Sequence, residues 1–262
     1  SYNGEIYNYK ELKGDLKKDG ASFSTDSDTE VLLVGLEREG IKFLNKLNGM
    51  FAFAYYQKDA DSLWLVRDRF GVKPLYYMIQ ENTLYFSSEL KPLINIKSKP
   101  LKRNNDYYKN FIEHTSTDSN KDTFVDGIYQ LRKGTYLKIS KSIDEKVWYR
   151  GQDFIFDRSI FLDKKKTLDF AEDLILDSIS KRLRADVPIC LTLSGGIDST
   201  TIYTLIKERL KKEVQLFTFS LPGSPSDETK KAIQLAESYK DRVTIIKDDD
   251  IPDLHKVNED IR

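Results

Sequence analysis

The stretch Ile189-Cys190-Leu191-Thr192-Leu193-Ser194-Gly195-Gly196-Ile197-Asp198-Ser199-Thr200 runs from an apolar strand pattern through two consecutive glycines into a helix pattern. Such a strand-to-helix junction suits pyrophosphate. Glycines carry no Cβ to hold an anion off, so backbone N–H groups and the positive end of the next helix can both be turned on phosphate oxygens. Hydroxyls at Ser194 and Ser199 add donors, and Asp198 offers a carboxylate to the Mg2+ that accompanies a nucleotide triphosphate. Neither the G-x-x-x-x-G-K-S/T loop nor G-x-G-x-x-G occurs in the chain, which points away from the commoner phosphate loops and toward ATP cleaved between its α and β phosphates. A purely structural reading fits the same residues: a tight turn with Asp198-Ser199 as helix cap.

Outward from this loop, apolar periodicity predicts a helix over Leu168 to Leu183, a strand over Val187 to Leu193, a helix over Ser199 to Lys211, a strand over Val214 to Ser220, a helix over Ser226 to Tyr239 and a strand over Val243 to Ile246. Alternation of this kind implies a parallel sheet with helices on its faces. In open sheets of that class ligands sit beyond the carboxyl ends of the strands, where the Ser194-Gly195-Gly196 turn lies and where the strand through Phe219 ends.

The N-terminal half has a shorter period. Tyr9 to Lys18, with Leu12 and Leu16 four apart, reads as an amphipathic helix, and Ser27-x-x-Glu30 as a capping box opening a second helix. Aromatic and β-branched runs follow at Phe51 to Tyr56, Leu63 to Arg67, Leu75 to Ile79 and Thr83 to Phe86, separated by turns, and predict an antiparallel meander. Lys97 to Lys121 is polar and irregular, while Thr135 to Ile139 and Lys146 to Tyr149 suit a last hairpin. The expected domains are therefore 1–150 and 167–262, with 151–166 as linker.

Two resemblances sharpen this reading. The Ser194 to Ser199 loop resembles the pyrophosphatase loop of the ATP-pyrophosphatase superfamily. Asn3-Gly4-Glu5-Ile6-Tyr7-Asn8, Ser27-Asp28-Thr29-Glu30, Gly49-Met50-Phe51-Ala52-Phe53-Ala54, Arg67-Asp68-Arg69-Phe70-Gly71-Val72-Lys73-Pro74-Leu75-Tyr76-Tyr77 and Phe86-Ser87-Ser88-Glu89-Leu90-Lys91 resemble, in that order, the glutaminase domain of glutamine-hydrolysing asparagine synthetases. The resemblance covers most of the chain. It implies an α/β protein of two domains: a class II amidotransferase domain of the N-terminal nucleophile type, an α/β/β/α sandwich with antiparallel sheets, then a Rossmann-like parallel α/β domain of the ATP-pyrophosphatase type.

The resemblance also assigns residues. Asn3 and Gly4 would form the oxyanion hole, the Asn amide and the Gly N–H donating to the oxygen that turns negative when glutamine's side-chain amide is attacked. Asn-Gly is equally a common turn dipeptide. Glu5 and Asp28 would hold glutamine's α-ammonium, although Asp28 in a first helical turn also suits the helix dipole; Ser27 reads as structural. On the nucleotide side the resemblance implies contacts from Leu193, Ser194, Gly195, Gly196, Asp198 and Ser199, with the backbone near Phe219 against adenine and Asp198 as metal ligand. The nucleophile of the resembled family is an N-terminal cysteine upstream of Asn-Gly-Glu. Here the first residue is Ser1 and the one cysteine, Cys190, lies in a strand pattern and reads as a buried small hydrophobe, so the chain is expected to be a piece of a longer protein. Ser88-Glu89-Leu90-Lys91 matches S-x-x-K without its companion motifs, and Asp68 with Arg69 reads as a turn-fixing pair.

Composition narrows the partners. Lys plus Arg and Asp plus Glu both number 42, so no net charge draws the chain to nucleic acid or an anionic membrane. Small molecules are the expected partners: glutamine, aspartate and ATP. No apolar run approaches a membrane span, His114 and His255 have no metal-ligand spacing, and a single cysteine fits a reducing cytoplasm. A homodimer is compatible with the resemblance. What the resemblance implies is asparagine formed from aspartate through β-aspartyl-AMP, with ammonia released from glutamine and passed internally. Two alternatives use the same residues: a β-lactam synthetase or peptide-cyclising relative with another acceptor, and a non-catalytic two-domain binding protein.

Overall fold

The computed structural model describes residues 1–96, 102–115, 120–153, 158–224 and 227–247, in two units, Ser1–Phe156 and Asp157–Arg262. The first unit runs β1 (Tyr2–Ile6), α1 (Tyr9–Lys18), α2 (Asp28–Glu39), β2 (Gly49–Gln57), β3 (Ser62–Arg67), β4 (Tyr76–Gln80), β5 (Thr83–Ser87), α3 (Leu90–Ile96), α4 (Asn105–His114), β6 (Tyr129–Gln130), β7 (Thr135–Ile139) and β8 (Ile143–Val147). The strands make two antiparallel sheets, ordered β1-β2-β3-β7-β8 and β5-β4-β6.

Side-chain alternation in β2 and β3 explains the layering. Phe51, Phe53, Trp64 and Val66 pack with Leu12 and Leu16 of α1 and Val31, Leu32 and Leu36 of α2 on one face of the larger sheet. Ala52 and Leu65, pointing the other way, meet Leu75, Tyr77 and Leu131 between the two sheets. Met78, on the far side of the smaller sheet, packs on Leu93 of α3. The order helix, sheet, sheet, helix is thus an α/β/β/α sandwich, each fully buried Leu or Phe contributing roughly 2–3 kcal/mol to it.

Several expectations change here. The four central strands are not one meander, because the turn after Arg67 carries the chain from the larger sheet to the smaller, and β4 pairs with β5 and β6 rather than with β3. Within the stretch expected to be irregular, of which 97–101 and 116–119 lie outside the described residues, α4 forms. Asn104 caps it by accepting from Tyr107 N at 3.0 Å, and Tyr107 and Phe111, one turn apart, both set their rings edge-on to Phe124. The last hairpin pairs β7 with Ile143–Val147, not with residues up to Tyr149. Ser27 caps α2 by accepting from Thr29 N, but Glu30 does not close a capping box: its oxygens accept from Ser24 N, Thr25 N and the Thr25 hydroxyl, each at 2.7 Å, and so fix the preceding turn instead.

The second unit runs α5 (Lys164–Arg182), β9 (Cys190–Thr192), α6 (Ile197–Leu205, continued by a π-helical turn over Ile206–Leu210), β10 (Gln215–Phe219), α7 (Thr229–Ser238) and β11 (Val243–Ile246). Asp163 caps α5 by accepting from Lys165 N and Lys166 N, which starts the helix four residues before Leu168. The three strands are parallel, ordered β11-β10-β9, around Leu193, Tyr203, Leu216, Ala232 and Ala236. Cys190 is exposed rather than buried. It sits on edge strand β9 and lines an open apolar groove of about 540 Å³ with Ile175, Ile179, Leu191 and Ile206. His255 lies outside the described residues.

Candidate functional site

The first candidate site is built on an open strand edge. Ser1 and Ala54 exchange both backbone hydrogen bonds, at 3.1 and 2.9 Å, and Tyr7 N donates to Asn48 O at 2.8 Å, which sets the β1–β2 register. In an antiparallel pair such bonded positions alternate with unbonded ones, so the N–H groups of Tyr2, Gly4 and Ile6 point away from β2, and among the described residues β1 has no strand on that side. Ile6 N meets Asp28 Oδ2 at 2.9 Å, and the Tyr2 hydroxyl donates to the same oxygen at 2.8 Å. Asp28 opens α2, so the helix start and the strand edge converge on one carboxylate. The Gly4 N–H faces that edge two residues before Ile6, and Asn3 and Glu5 stand exposed on the alternate face of the strand.

Gly4 is dictated by this geometry. With φ at +153°, a Cβ there would lie 2.1 Å from Met50 O and 2.7 Å from Phe51 Cα of the neighbouring strand. Its partner Phe51 is anchored in turn, since Phe51 N donates to the buried Asp68 carboxylate at 3.2 Å. Asn3 does not dangle: its Nδ2 donates to Ser88 Oγ at 3.1 Å, so one amide proton is engaged and the side chain oriented. The Tyr2 hydroxyl is pushed far above the ordinary tyrosine range, first by burial and then by its bond to Asp28, which keeps it a donor at any physiological pH. Sequence reasoning missed Tyr2 and Ser88. Ser88 stood in view as part of an S-x-x-K match, and only the folded chain brings it to Asn3.

The second candidate site is the loop between β9 and α6. Leu193 is a buried core residue whose N–H donates to Phe217 O at 2.7 Å, fixing the strand end from which the loop departs. The Ser194 and Ser199 hydroxyls lie 3.0 Å apart; Ser199 Oγ accepts from Ser194 N at 3.2 Å and Ser194 Oγ accepts from Gly196 N at 3.3 Å. The loop is thereby held in shape. Gly196 caps α6 without a side chain, and the first-turn N–H groups at Ile197, Asp198 and Ser199 have no acceptor within the helix. Ile197, Asp198 and Phe219 are exposed, and because the sheet is parallel, Phe219 at the end of β10 lies on the same rim as the loop.

Gly195 departs from the expectation that both glycines leave room for an anion. Its φ is +75°, and a Cβ there would lie 2.6 Å from Lys231 Cβ of α7, so its openness is used for packing against that helix. Gly196 fits the expectation better, since a Cβ there would meet only Ser194 Oγ, at 3.3 Å. The donor set suits phosphate: the helix N–H groups at Ile197, Asp198 and Ser199, which have no acceptor within the helix, and the two hydroxyls of Ser194 and Ser199. For a metal the protein offers less. No group of three or more His, Cys, Asp or Glu converges among the described residues, so Asp198 alone could hold Mg2+ only together with phosphate oxygens and water, which is how that ion is commonly held beside nucleotides. Among the described residues no helix is long and apolar enough to cross a membrane.

Both segments of the chain match known families. The family profile of the glutamine amidotransferase domain matches residues 1–149, and that of asparagine synthase matches residues 171–260. Glutamine-hydrolysing asparagine synthetase 2 of Bacillus subtilis is 35% identical over 229 residues, covering 82% of this chain and 30% of the relative. Glutamine-hydrolysing asparagine synthetase 1 of the same organism is 35% identical over 213 residues, covering 79% and 32%. A putative glutamine-hydrolysing asparagine synthetase 2 of Methanocaldococcus jannaschii is 34% identical over 229 residues, covering 84% and 42%. The chain thus spans between 30% and 42% of the length of these curated relatives. With an amidotransferase sandwich followed by an asparagine synthase segment, the chain belongs to the family of the glutamine-hydrolysing asparagine synthetases.

Proposed function

We propose that this chain carries the glutamine-binding site and the nucleotide loop of an enzyme that makes asparagine from aspartate, taking nitrogen from glutamine and using ATP to activate the aspartate side-chain carboxylate as an adenylate. The observation that carries the reading is that the outward Gly4 N–H and the Asp28 carboxylate lie along the same edge of β1, two residues apart, while Ser88 orients the Asn3 amide. Asp28, with Glu5, would neutralise glutamine's α-ammonium. The Gly4 N–H and the second proton of Asn3 Nδ2 would then meet the developing oxyanion as preorganised donors, which cost no reorganisation when charge appears.

In the second unit ATP would supply the leaving pyrophosphate. The N–H groups at the start of α6 and the hydroxyls of Ser194 and Ser199 would bind its phosphates, with Asp198 beside an accompanying Mg2+ and the backbone near Phe219 against the adenine, in a Rossmann-like sheet of the ATP-pyrophosphatase type. The single cysteine supports a reducing compartment such as the cytoplasm. The test is a product assay on the polypeptide as the cell makes it, with aspartate, glutamine, ATP and Mg2+. Asparagine, glutamate, AMP and pyrophosphate in equal amounts support the proposal. AMP formation that ignores aspartate would replace it with another acceptor.

A further inference from the structure

Tyr2 lies outside the residues that the glutamine reading uses, yet its hydroxyl ends on Asp28 Oδ2 at 2.8 Å, the oxygen that Ile6 N also reaches at 2.9 Å. With both donors on one oxygen the carboxylate is pinned about its Cβ–Cγ bond. Asp28 Oδ1 keeps only a long contact from the Thr29 hydroxyl, at 3.4 Å. The Tyr2 ring is itself held, being half-buried against the core shared by α1, α2 and β2, so the hydroxyl is delivered from a fixed support.

We propose that Tyr2 is a positioning residue for recognition of an α-ammonium group: by engaging one oxygen of Asp28 it presents the other, and so sets the preference for an α-amino acid amide over the same amide without its amino group. The proposal rests on the glutamine-binding reading above. An ammonium that meets a pinned carboxylate finds its partner already ordered, whereas a carboxylate free to rotate must be ordered at the moment of binding. Tyr2 does not touch the ligand in this account; it acts through Asp28.

Calorimetric titration of this chain with L-glutamine and with glutaramate, which keeps the amide and the carboxylate but lacks the ammonium, separates the possibilities. The wild-type chain is expected to prefer L-glutamine, and Asp28→Asn to lose that preference. Tyr2→Phe, which removes one hydroxyl, should weaken L-glutamine by about three- to ten-fold and leave glutaramate within about two-fold. Unchanged glutaramate binding in the variant also reports that the site is still folded. Tyr2→Phe with an undiminished preference, or with both ligands weakened alike, overturns the proposal while leaving the glutamine site intact. A wild-type chain with no preference for L-glutamine would overturn the glutamine-site reading itself.

Discussion

Arg67 and Asp68 grip the same loop with opposite chemistry. The Asp68 carboxylate accepts from the N–H groups of Phe70, Val72 and Lys73 at 2.9–3.0 Å, while the Arg67 guanidinium donates to the carbonyls of Gly71 and Lys73, each at 2.8 Å, and to Leu131 O at 2.8 Å. Both side chains are buried. Asp68 therefore fixes the turn through backbone N–H groups and not through Arg69, whose guanidinium donates to Asn45 O and lies over Trp148 and Tyr149. The grip defines where the chain leaves the larger sheet for the smaller one, and the bond from Phe51 N extends it to the strand facing Gly4.

Asp68→Asn keeps the shape but turns one acceptor oxygen into a donor facing backbone N–H groups. Charge-assisted bonds at a buried site are lost, and the expected cost is about 3 kcal/mol or more. Denaturant unfolding followed by tryptophan fluorescence checks this, since Trp64 and Trp148 both lie in the first unit. A variant within experimental error of wild type would remove Asp68 from the centre of the fold.

Gly4→Ala tests the close approach of β1 to β2. Its Cβ would stand 2.1 Å from Met50 O in a conformation that side chains rarely adopt, so the strand must shift and carry the outward N–H with it. L-Glutamine binding should fall by at least about ten-fold, a loss of about 1.4 kcal/mol. Retention of wild-type affinity would show that the Gly4 N–H takes no part.

The loop proposed to bind nucleotide can be tested in two parts. Gly196→Val places a branched side chain at the α6 cap, against Ser194 Oγ, and should abolish measurable ATP binding. Asp198→Asn should weaken ATP binding more in the presence of Mg2+ than in its absence, because a carboxylate that holds the ion is missed only when the ion is there. Equal losses with and without Mg2+ would remove the metal role from Asp198.

Alkaline titration addresses the core between the sheets. Burial, then the nearby Glu145 and Tyr129, push the Tyr77 hydroxyl from its ordinary value near 10 up to about 12. A group whose folded pKa is raised favours folding in its protonated form, so this contribution is whole below pH 10 and disappears as pH rises through about 12. Unfolding measured across that window should show a falling stability that Tyr77→Phe flattens. A Tyr77→Phe variant with the same slope as wild type would locate the alkaline transition elsewhere.

Much of this was legible before folding. Aromatic and β-branched runs marked β2 and β3, the pair Leu12/Leu16 marked α1, Ser27-x-x-Glu30 marked the start of α2 although no capping box closes there, and the Ser-Gly-Gly stretch marked the end of a parallel strand. What stayed hidden depends on contacts between distant residues. Periodicity cannot tell whether consecutive strands share a sheet, and here the Arg67–Asp68 grip decides that they do not. The helix at Asn105–His114 is stabilised by rings docking on Phe124, a partner that sequence spacing does not reveal. In the first candidate site the family resemblance pointed to Asn3, Gly4, Glu5 and Asp28, but the side chains that hold Asn3 and Asp28, Ser88 and Tyr2, are chosen by geometry. Nor does the sequence reveal that the space beside Gly195 is taken by Lys231, whose Cβ would stand 2.6 Å from a Cβ there.

In the proposed function one polypeptide uses two separable chemistries, glutamine binding at Asp28 and carboxylate activation at the loop carrying Asp198. The direct measurement is asparagine formation by the polypeptide as the cell makes it, with either glutamine or an ammonium salt as nitrogen source, in wild type and in Asp28→Ala and Asp198→Ala. The account predicts that Asp28→Ala loses the glutamine-dependent rate and keeps the ammonium-dependent one, while Asp198→Ala loses both. Asp28→Ala that supports glutamine-dependent synthesis at the wild-type rate, or Asp198→Ala that spares either route, would contradict it.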